Sequence, residues 1–133
     1  MTTTRSEPPV TETHAAPRAA WNAIAEGYAL NLPLRVADSA GPAEPVVSVD
    51  GEGVTIEAVK LADDASGDVV VRLYESRGGR ATGTLRTGFP LAGAQVTDLL
   101  ERPLTTVDTD GNAVAVALRP FEVQTLRLAV AKA

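Results

Sequence analysis

The sequence predicts an all-β protein, an antiparallel β-sandwich of about 7–8 strands, behind a disordered N-terminal leader and a short helix or extended connector. From Val46 onward, short apolar runs recur roughly every 8–12 residues between turns rich in Gly, Asp and Pro. Aromatic residues make up only 4% of the chain, so the core must consist of aliphatic residues, which favour strands when branched. Several runs alternate, and Val69, Val71 and Leu73 share one face.

Residues 1–45 divide by composition into a leader and a connector. Residues 1–18 are rich in Thr, Pro, Glu and Ser and have almost no large apolar side chain, which predicts disorder. Residues 19–45 form the connector. There "RAAWNAIAE" predicts a short helix, because apolar residues follow Trp21 at i+3 and i+4 and Gly27 would end it. The next stretch, "YALNLPLRV", predicts an extended segment, with Pro33 restricting it to an edge or a connection.

Residues 46–133 supply the predicted sandwich domain. Asp110-Gly111 is a strong hairpin signal between two of its strands. The apolar runs that predict strands are "VVSV", "VTIEAVKLA", "VVVRLYE", "ATGTLRT", "AQVTDLL", "TTVDTDGNAVAVALR" and "EVQTLRLAV".

Two of these strands change their apolar face partway along. A strand of period two cannot bury both odd and even positions without an extra residue. In the last strand the apolar residues stand first at odd-numbered and then at even-numbered positions. This change predicts a bulge or bend near Gln124-Thr125. It also places Phe121 in the core. "VTIEAVKLA" has a similar break after Ile56, and such strands often pass from one sheet of a sandwich to the other.

Composition excludes several functions. The net charge is −5, and basic residues form no run, which disfavours nucleic acid and anionic membranes. The chain has no Cys, and its one His, His14, lies in the leader, so neither a thiol nucleophile nor a zinc site is expected. Neither a signal peptide nor a membrane-spanning stretch is evident, and we therefore expect a soluble, cytoplasmic protein.

Few side chains suggest chemistry. Most of the 17 acidic residues lie in turns, where carboxylates usually bond backbone N–H groups or face water. "DTDGN" resembles the start of a calcium loop, but the later positions hold Ala113 and Arg119, so the hairpin interpretation is preferred. One turn remains, and it is either a plain hairpin tip or a loop that faces a ligand or a neighbouring domain. Its residues are Glu75, Arg77, Gly78, Gly79 and Arg80.

Longer stretches resemble a known family. "VVRLYESRGG", "TDLLERPL" and "LRPFEVQTLRL" are similar to the C-terminal β-sandwich region of glycoside hydrolase family 38 α-mannosidases, over about residues 26–130. The resemblance implies that the zinc ligands and the nucleophilic carboxylate lie in an N-terminal catalytic domain, whose motifs are absent here. We therefore expect no catalytic residue, metal ligand or cofactor in this chain, and zinc only in that catalytic domain.

The resemblance thus implies a non-catalytic accessory domain that packs against a catalytic α-mannosidase-like domain or subunit. Trp21, Tyr28, Leu30 and Leu32 are the expected docking surface. The alternative is a stand-alone module that binds carbohydrate or protein. A stand-alone enzyme is the least favoured hypothesis, and whether the chain is an excised domain or a natural short gene stays open.

Overall fold

The computed structural model of the protein describes residues 17–32, 36, 38 and 41–132, and in the helix it describes side chains from Ala23 onward. The chain forms two compact units, Met1–Val36 and Ala37–Ala133. The predicted disordered leader falls almost wholly outside the described residues. The predicted domain boundaries stay predictions.

The first unit contains one α-helix, α1, from Pro17 to Asn31. Proline suits the first helical position, because its missing N–H would have no partner there. The prediction that Gly27 ends the helix was wrong, and so was the extended segment as far as Asn31; residues 33–35 of that segment lie outside the described residues. Glycine in a helix costs only about 1 kcal/mol relative to Ala, and the Ala and Leu that follow are good helix formers. At the true end the Asn31 side chain donates to the Gly27 carbonyl at 2.7 Å, and the Leu32 N–H donates to the Tyr28 carbonyl at 2.8 Å.

The second unit is built of strands within its described residues. In chain order these are β1 Val47–Asp50, β2 Val54–Leu61, β3 Val69–Glu75, β4 Ala81–Thr87, β5 Leu91–Thr97, β6 Pro103–Val107, β7 Thr109–Asp110, β8 Ala113–Leu118 and β9 Val123–Val130.

The strands form two antiparallel sheets, one in the order β1-β4-β8-β7 and the other in the order β2-β3-β9-β5-β6. Core side chains come from both sheets, including Leu85 and Val114 from the first and Leu73 and Leu128 from the second. The predicted β-sandwich is confirmed. The strand number exceeds the prediction because β6 and the two-residue β7 are separate elements.

The predicted bulge in the last strand was wrong. β9 pairs with β3 without interruption from Tyr74↔Val123 to Val69↔Leu128. Only the even apolar positions enter the core, because Phe121 precedes the strand and is 75% exposed, and Val123 is 52% exposed. No compensating residue is therefore required.

The predicted break in β2 is confirmed, since its register with β3 shifts between Ile56 and Ala58. The strand stays in the five-stranded sheet, however, and does not pass to the other one. Val59 and Leu61 remain exposed on this edge strand. The bulge places Val59 and Leu61 opposite the core residues Val71 and Val69, so all three apolar positions from Ile56 onward share one face, although the last two stay exposed at the sheet edge.

The β7–β8 hairpin is confirmed with its turn one residue later than predicted. Asp110 pairs with Ala113, so Gly111 and Asn112 are the central residues. Gly111 has φ 57°, a value that glycine adopts readily at the first central position of a hairpin turn.

Candidate functional site

Three turns meet at one end of the sandwich, namely residues 51–53, 76–80 and 119–122. The Ser76 N–H donates to the Gly53 carbonyl at 3.0 Å, which joins the first two turns. The Glu75 N–H donates to the Glu122 carbonyl at 2.9 Å, which joins the second to the third. Main-chain bonds therefore hold all three turns together around the end of β3.

The Glu75 side chain completes this junction. Glu75 is only 2% exposed. Its Oε1 accepts the Arg77 N–H at 2.7 Å, and its Oε2 accepts the N–H groups of Gly78 at 2.7 Å and Phe121 at 3.0 Å. A buried carboxylate requires such partners, because water no longer solvates its charge. Both carboxylate oxygens are thus used inside the fold.

The pKa of Glu75 reflects two opposed effects. Burial raises the pKa, because it disfavours the charged form. The backbone N–H groups of Phe121, Arg77, Gly78 and Gly79 lower it by stabilising that form, and together they outweigh burial. The pKa therefore lies below its usual value, and Glu75 is a carboxylate at neutral pH.

The turn at residues 51–53 packs directly against this carboxylate. Gly53 has φ 84°, and a Cβ there would lie 3.2 Å from Glu75 Oε1. Glycine thus satisfies both the backbone conformation and the close approach. Next to it, Arg77 Nη1 donates to Glu52 Oε2 at 2.8 Å, so the guanidinium links the first turn to the second.

Phe121 occupies an unusual backbone position in the third turn. The Glu122 N–H donates to the Arg119 carbonyl at 3.0 Å, which closes a four-residue turn with Pro120 and Phe121 at its centre. Phe121 has φ 58° at the third position, where a type II turn normally takes Gly or Asn. The positive φ is disfavoured for a residue with a Cβ. The ring is nevertheless mostly exposed to solvent.

The ring of Phe121 lies against Gly78. A Cβ on Gly78 would lie 2.8 Å from Phe121 Cζ, and Gly78 itself has φ 77°. Any other residue at this position would clash with the ring and strain the turn. Gly78 therefore creates the place where the ring rests.

Arg80 is the remaining cation of the second turn. It is exposed, and within the part of the chain that the structure describes its guanidinium has no hydrogen-bond or ion-pair partner. Gly79 is also exposed, and a Cβ there would meet nothing within 4 Å. The tip of the turn is therefore open to solvent on the Arg80 side.

A shallow depression lined by both polar and apolar residues lies beside the β9 end of this region. It has a volume of about 310 Å³, and Leu99, Leu104 and Val123 are among the residues that line it. Their exposed fractions are 66%, 64% and 52%, which is high for large aliphatic residues. Glu122, adjacent to Phe121 in the chain, also lines the depression.

A second polar cluster holds the β2–β3 turn to the sheet. Arg127 in β9 donates through Nε to Asp68 at 2.8 Å and through Nη2 to Asp64 at 2.6 Å and Ser66 Oγ at 3.0 Å. Hydrogen bonds from Ser66 and then Arg127 lower the pKa of Asp64 to about 2. Glu101, in the β5–β6 turn, bonds the same β2–β3 turn through the Asp63 N–H at 2.9 Å.

The described residues contain no group of three or more His, Cys, Asp or Glu that could hold a metal ion. None of their helices is long and apolar enough to cross a membrane.

Comparison with known proteins identifies the fold family. Residues 53–126 match the glycosyl hydrolases family 38 C-terminal beta sandwich domain, a stretch that exceeds half of the 133-residue chain. The chain belongs to this family. The match includes Glu75 and the Phe121 turn, and it confirms the resemblance seen in the sequence.

Two curated relatives of the family 38 domain are α-mannosidases. The alpha-mannosidase 2C1 of Mus musculus is 32% identical over 113 residues, and that of Homo sapiens is 34% identical over 116 residues. Each match covers 79% of this chain but only 11% of the relative. The chain thus spans about a tenth of the length of the relatives it matches.

The predicted docking residues of the connector lie in or directly after α1. Tyr28 is 39% exposed, Leu30 is 83% exposed, and Leu32, just past the helix, is 68% exposed. Trp21 lies within the helix, but its side chain is outside the described residues. Their role as a docking surface stays a prediction.

The predicted loop residues of the family 38 domain separate into two groups. Glu75, Arg77 and Gly78 hold the turns together, whereas Gly79 and Arg80 face solvent. Phe121 was not predicted as a site residue, because the pattern of the last strand placed it in the core. A usable signal was the preceding Pro120, because proline favours the second position of a tight turn and so places Phe121 at the third.

Proposed function

We propose that this chain is a non-catalytic accessory β-sandwich domain of an α-mannosidase-type glycoside hydrolase, and that it packs against a catalytic part. The proposal depends on one observation, the difference between the aligned shares of the two proteins: 79% of this chain aligns with only 11% of each α-mannosidase. A segment of that proportion, matched to a C-terminal sandwich family, suits a supporting domain better than a complete hydrolase.

The chemistry of the described carboxylates supports a non-catalytic role. Glycoside hydrolysis generally uses two carboxyl groups that face a substrate cleft, one of them protonated. The most buried carboxylate, Glu75, instead has a lowered pKa and accepts three backbone N–H groups at 3.0 Å or less. It has no proton to donate at neutral pH and presents no free oxygen to a substrate.

Zinc, which the family resemblance implies for the catalytic part, does not fit the described residues of this chain. The sequence has no Cys, and its one His lies outside those residues. The remaining acidic side chains form no cluster of three that could hold a metal ion within residues 17–32 and 41–132. We propose that any zinc is held by the catalytic part.

A second candidate function, a stand-alone module that binds carbohydrate, is favoured by one observation. The exposed ring of Phe121 could stack on the apolar face of a sugar. Binding sites for small molecules are, however, concave and enclosed by convergent polar groups. Phe121 lies on the outside of a turn with its ring against Gly78, and it is 75% exposed, so it does not enclose a ligand.

We also propose a cytoplasmic location. Support comes from the absence of cysteine, because proteins in oxidising compartments commonly gain stability from disulfides.

Association with a catalytic part can be measured directly. The probe is the alpha-mannosidase 2C1 of Mus musculus from which the segment aligned with this chain has been deleted. We expect the 133-residue chain to bind this probe, by isothermal titration calorimetry, and to raise its hydrolysis of an aryl α-mannoside. The chain alone should hydrolyse nothing. Turnover by the chain alone, or no association with the probe, would contradict the proposal.

A further inference from the structure

The Phe121 turn combines three features that hold an aromatic ring in solvent. The backbone takes a positive φ that disfavours Phe and that Gly would adopt freely. Gly78 leaves space for the ring, and the Glu75 carboxylate fixes the Phe121 N–H at 3.0 Å. Core packing does not explain this arrangement, because the ring is exposed and its backbone conformation is strained.

Charge around the ring differs from that of the whole chain. The chain has a net charge of −5, but the three turns together with Glu75 hold three arginines and three glutamates. Arg77 pairs with Glu52 at 2.8 Å, and Arg119 pairs with Glu122 at 3.2 Å. Arg80 is left, among the described residues, as an exposed guanidinium without a partner.

Exposed apolar residues also lie at the start of β9, shortly after Phe121 in the chain. Val123 follows Phe121 by two residues and, with Leu104, lines the depression of about 310 Å³. Exposed aromatic and Arg side chains beside aliphatic surface are typical of the residues that dominate protein interfaces. Isolated exposed apolar residues need no explanation, whereas a continuous group of them does.

We propose that the Phe121 surface, formed by Phe121, Arg80, Val123 and Leu104, is the face by which this domain docks onto the catalytic part. The exposed part of the Phe121 ring packs against an apolar surface of that part, and a carboxylate beside this surface pairs with Arg80. This inference rests on the proposed function and names its interface. The occupant is a polypeptide surface because the α-mannosidase relatives continue for about nine tenths of their length beyond the matched segment.

The test measures binding of the full 133-residue chain to the truncated mouse alpha-mannosidase 2C1. Phe121→Gly removes the ring but suits the positive φ, so the fold should survive, with a melting temperature near that of the wild type. We expect its Kd to rise roughly 10-fold or more, as for an interface hot spot. Phe121→Tyr, which keeps a ring, should bind within about 3-fold of the wild type.

Reversal of the Arg80 charge tests the polar part of the Phe121 surface. Arg80→Glu should raise the Kd about 5-fold or more and weaken its dependence on salt, because a favourable ion pair becomes repulsive. Two matched controls lie elsewhere on the sandwich, Leu61→Ala for an exposed apolar residue and Arg86→Glu for an exposed arginine. Both should bind within about 2-fold of the wild type.

The outcomes separate this inference from the proposed function. If the wild-type chain binds and Phe121→Gly and Arg80→Glu bind equally well, the assigned face is wrong and the accessory role stands. If the wild-type chain does not bind, both the docking face and the accessory role are contradicted. Saturable NMR shifts of the Phe121 and Gly78 amides on addition of methyl α-mannoside would show that this surface binds sugar, and would contradict its assignment as the docking face.

Discussion

The backbone N–H of Phe121 donates a hydrogen bond to the carboxylate of Glu75 at 3.0 Å, although 46 residues separate the two in sequence. The same carboxylate accepts the N–H groups of Arg77 and Gly78. One buried side chain therefore fixes the loop after β3 and the turn before β9. The stability of this end of the sandwich and the position of the Phe121 ring depend on the same group.

Replacement of Glu75 by Gln should destabilise the sandwich. The Gln amide group points N–H donors at backbone N–H donors, which leaves buried groups without acceptors. We expect the melting temperature at pH 7 to fall by roughly 5 °C or more, measured by circular dichroism.

The effect of this substitution should depend on pH. The pKa of Glu75 is lower in the folded than in the unfolded state, so its stabilisation is present above the unfolded pKa and is lost as pH falls through the folded pKa. The difference between wild type and Glu75→Gln should therefore be full at neutral pH and shrink in acid. Glu57→Gln, on the exposed side of β2, should behave as wild type. A difference independent of pH would contradict the argument.

Gly78→Ala should destabilise the protein, whereas Gly79→Ala should not. At Gly78 a Cβ would lie 2.8 Å from the Phe121 ring on a backbone with φ 77°, and at Gly79 a Cβ meets nothing within 4 Å. We expect a loss of about 1–3 kcal/mol in the free energy of unfolding for Gly78→Ala and a change within about 0.5 kcal/mol for Gly79→Ala, by urea denaturation.

A double variant separates the two causes at Gly78. Combined with Phe121→Gly, the Gly78→Ala substitution no longer meets the ring, so only the backbone penalty should remain. The cost of Gly78→Ala should then be smaller than in the wild-type background. Equal costs in the two backgrounds would show that displacement of the exposed ring costs nothing and that the backbone conformation accounts for the whole penalty.

Strand positions were predictable because turn residues separate the apolar runs. β3 and β4 begin and end at the predicted residues, since Gly and Asp flank alternating aliphatic positions. The inward set of Val114, Val116 and Leu118 in β8 is confirmed by exposures of 5% or less. Local pattern determines these elements because each strand has one core-facing side.

The candidate site was less predictable because it depends on contacts between distant turns. Sequence identified the loop from Glu75 to Arg80 as special but could not show that the Glu75 carboxylate turns inward. That outcome depends on Phe121, whose N–H only the folded β8–β9 turn brings close. The alternation of apolar positions in the last strand placed Phe121 in the core for the same reason. Phe121 lies outside the strand, and an apolar side chain there does not have to follow the strand pattern.

Asp64 should titrate near pH 2, because hydrogen bonds from Ser66 and Arg127 stabilise its charged form. The pKa can be followed by NMR through the side-chain carboxyl carbon. Ser66→Ala removes the hydroxyl, the larger cause, and Arg127→Met removes the guanidinium at 2.6 Å. Both substitutions should raise the pKa toward its ordinary value.

The Asp64 measurement has a matched control in Arg102→Met. Arg102 donates to Asp98 at 2.6 Å and has no bond to Asp64. This substitution should leave the Asp64 pKa unchanged. Because the folded pKa of Asp64 is lowered, its stabilisation is present above the unfolded pKa and lost as pH falls toward 2. An unchanged Asp64 pKa in both test variants would refute the cluster as its cause.

Glu101→Ala should loosen the contact between the β2–β3 and β5–β6 turns. The Glu101 carboxylate accepts the Asp63 N–H at 2.9 Å and bonds the Lys60 ammonium. Without it, we expect hydrogen exchange of the Asp63 amide to accelerate roughly 10-fold, because that N–H loses a charged acceptor. The Ala62 amide is the internal control, since it donates to the Asp68 carbonyl at 2.9 Å and should change less. Equal acceleration of both amides would indicate opening of the whole turn instead.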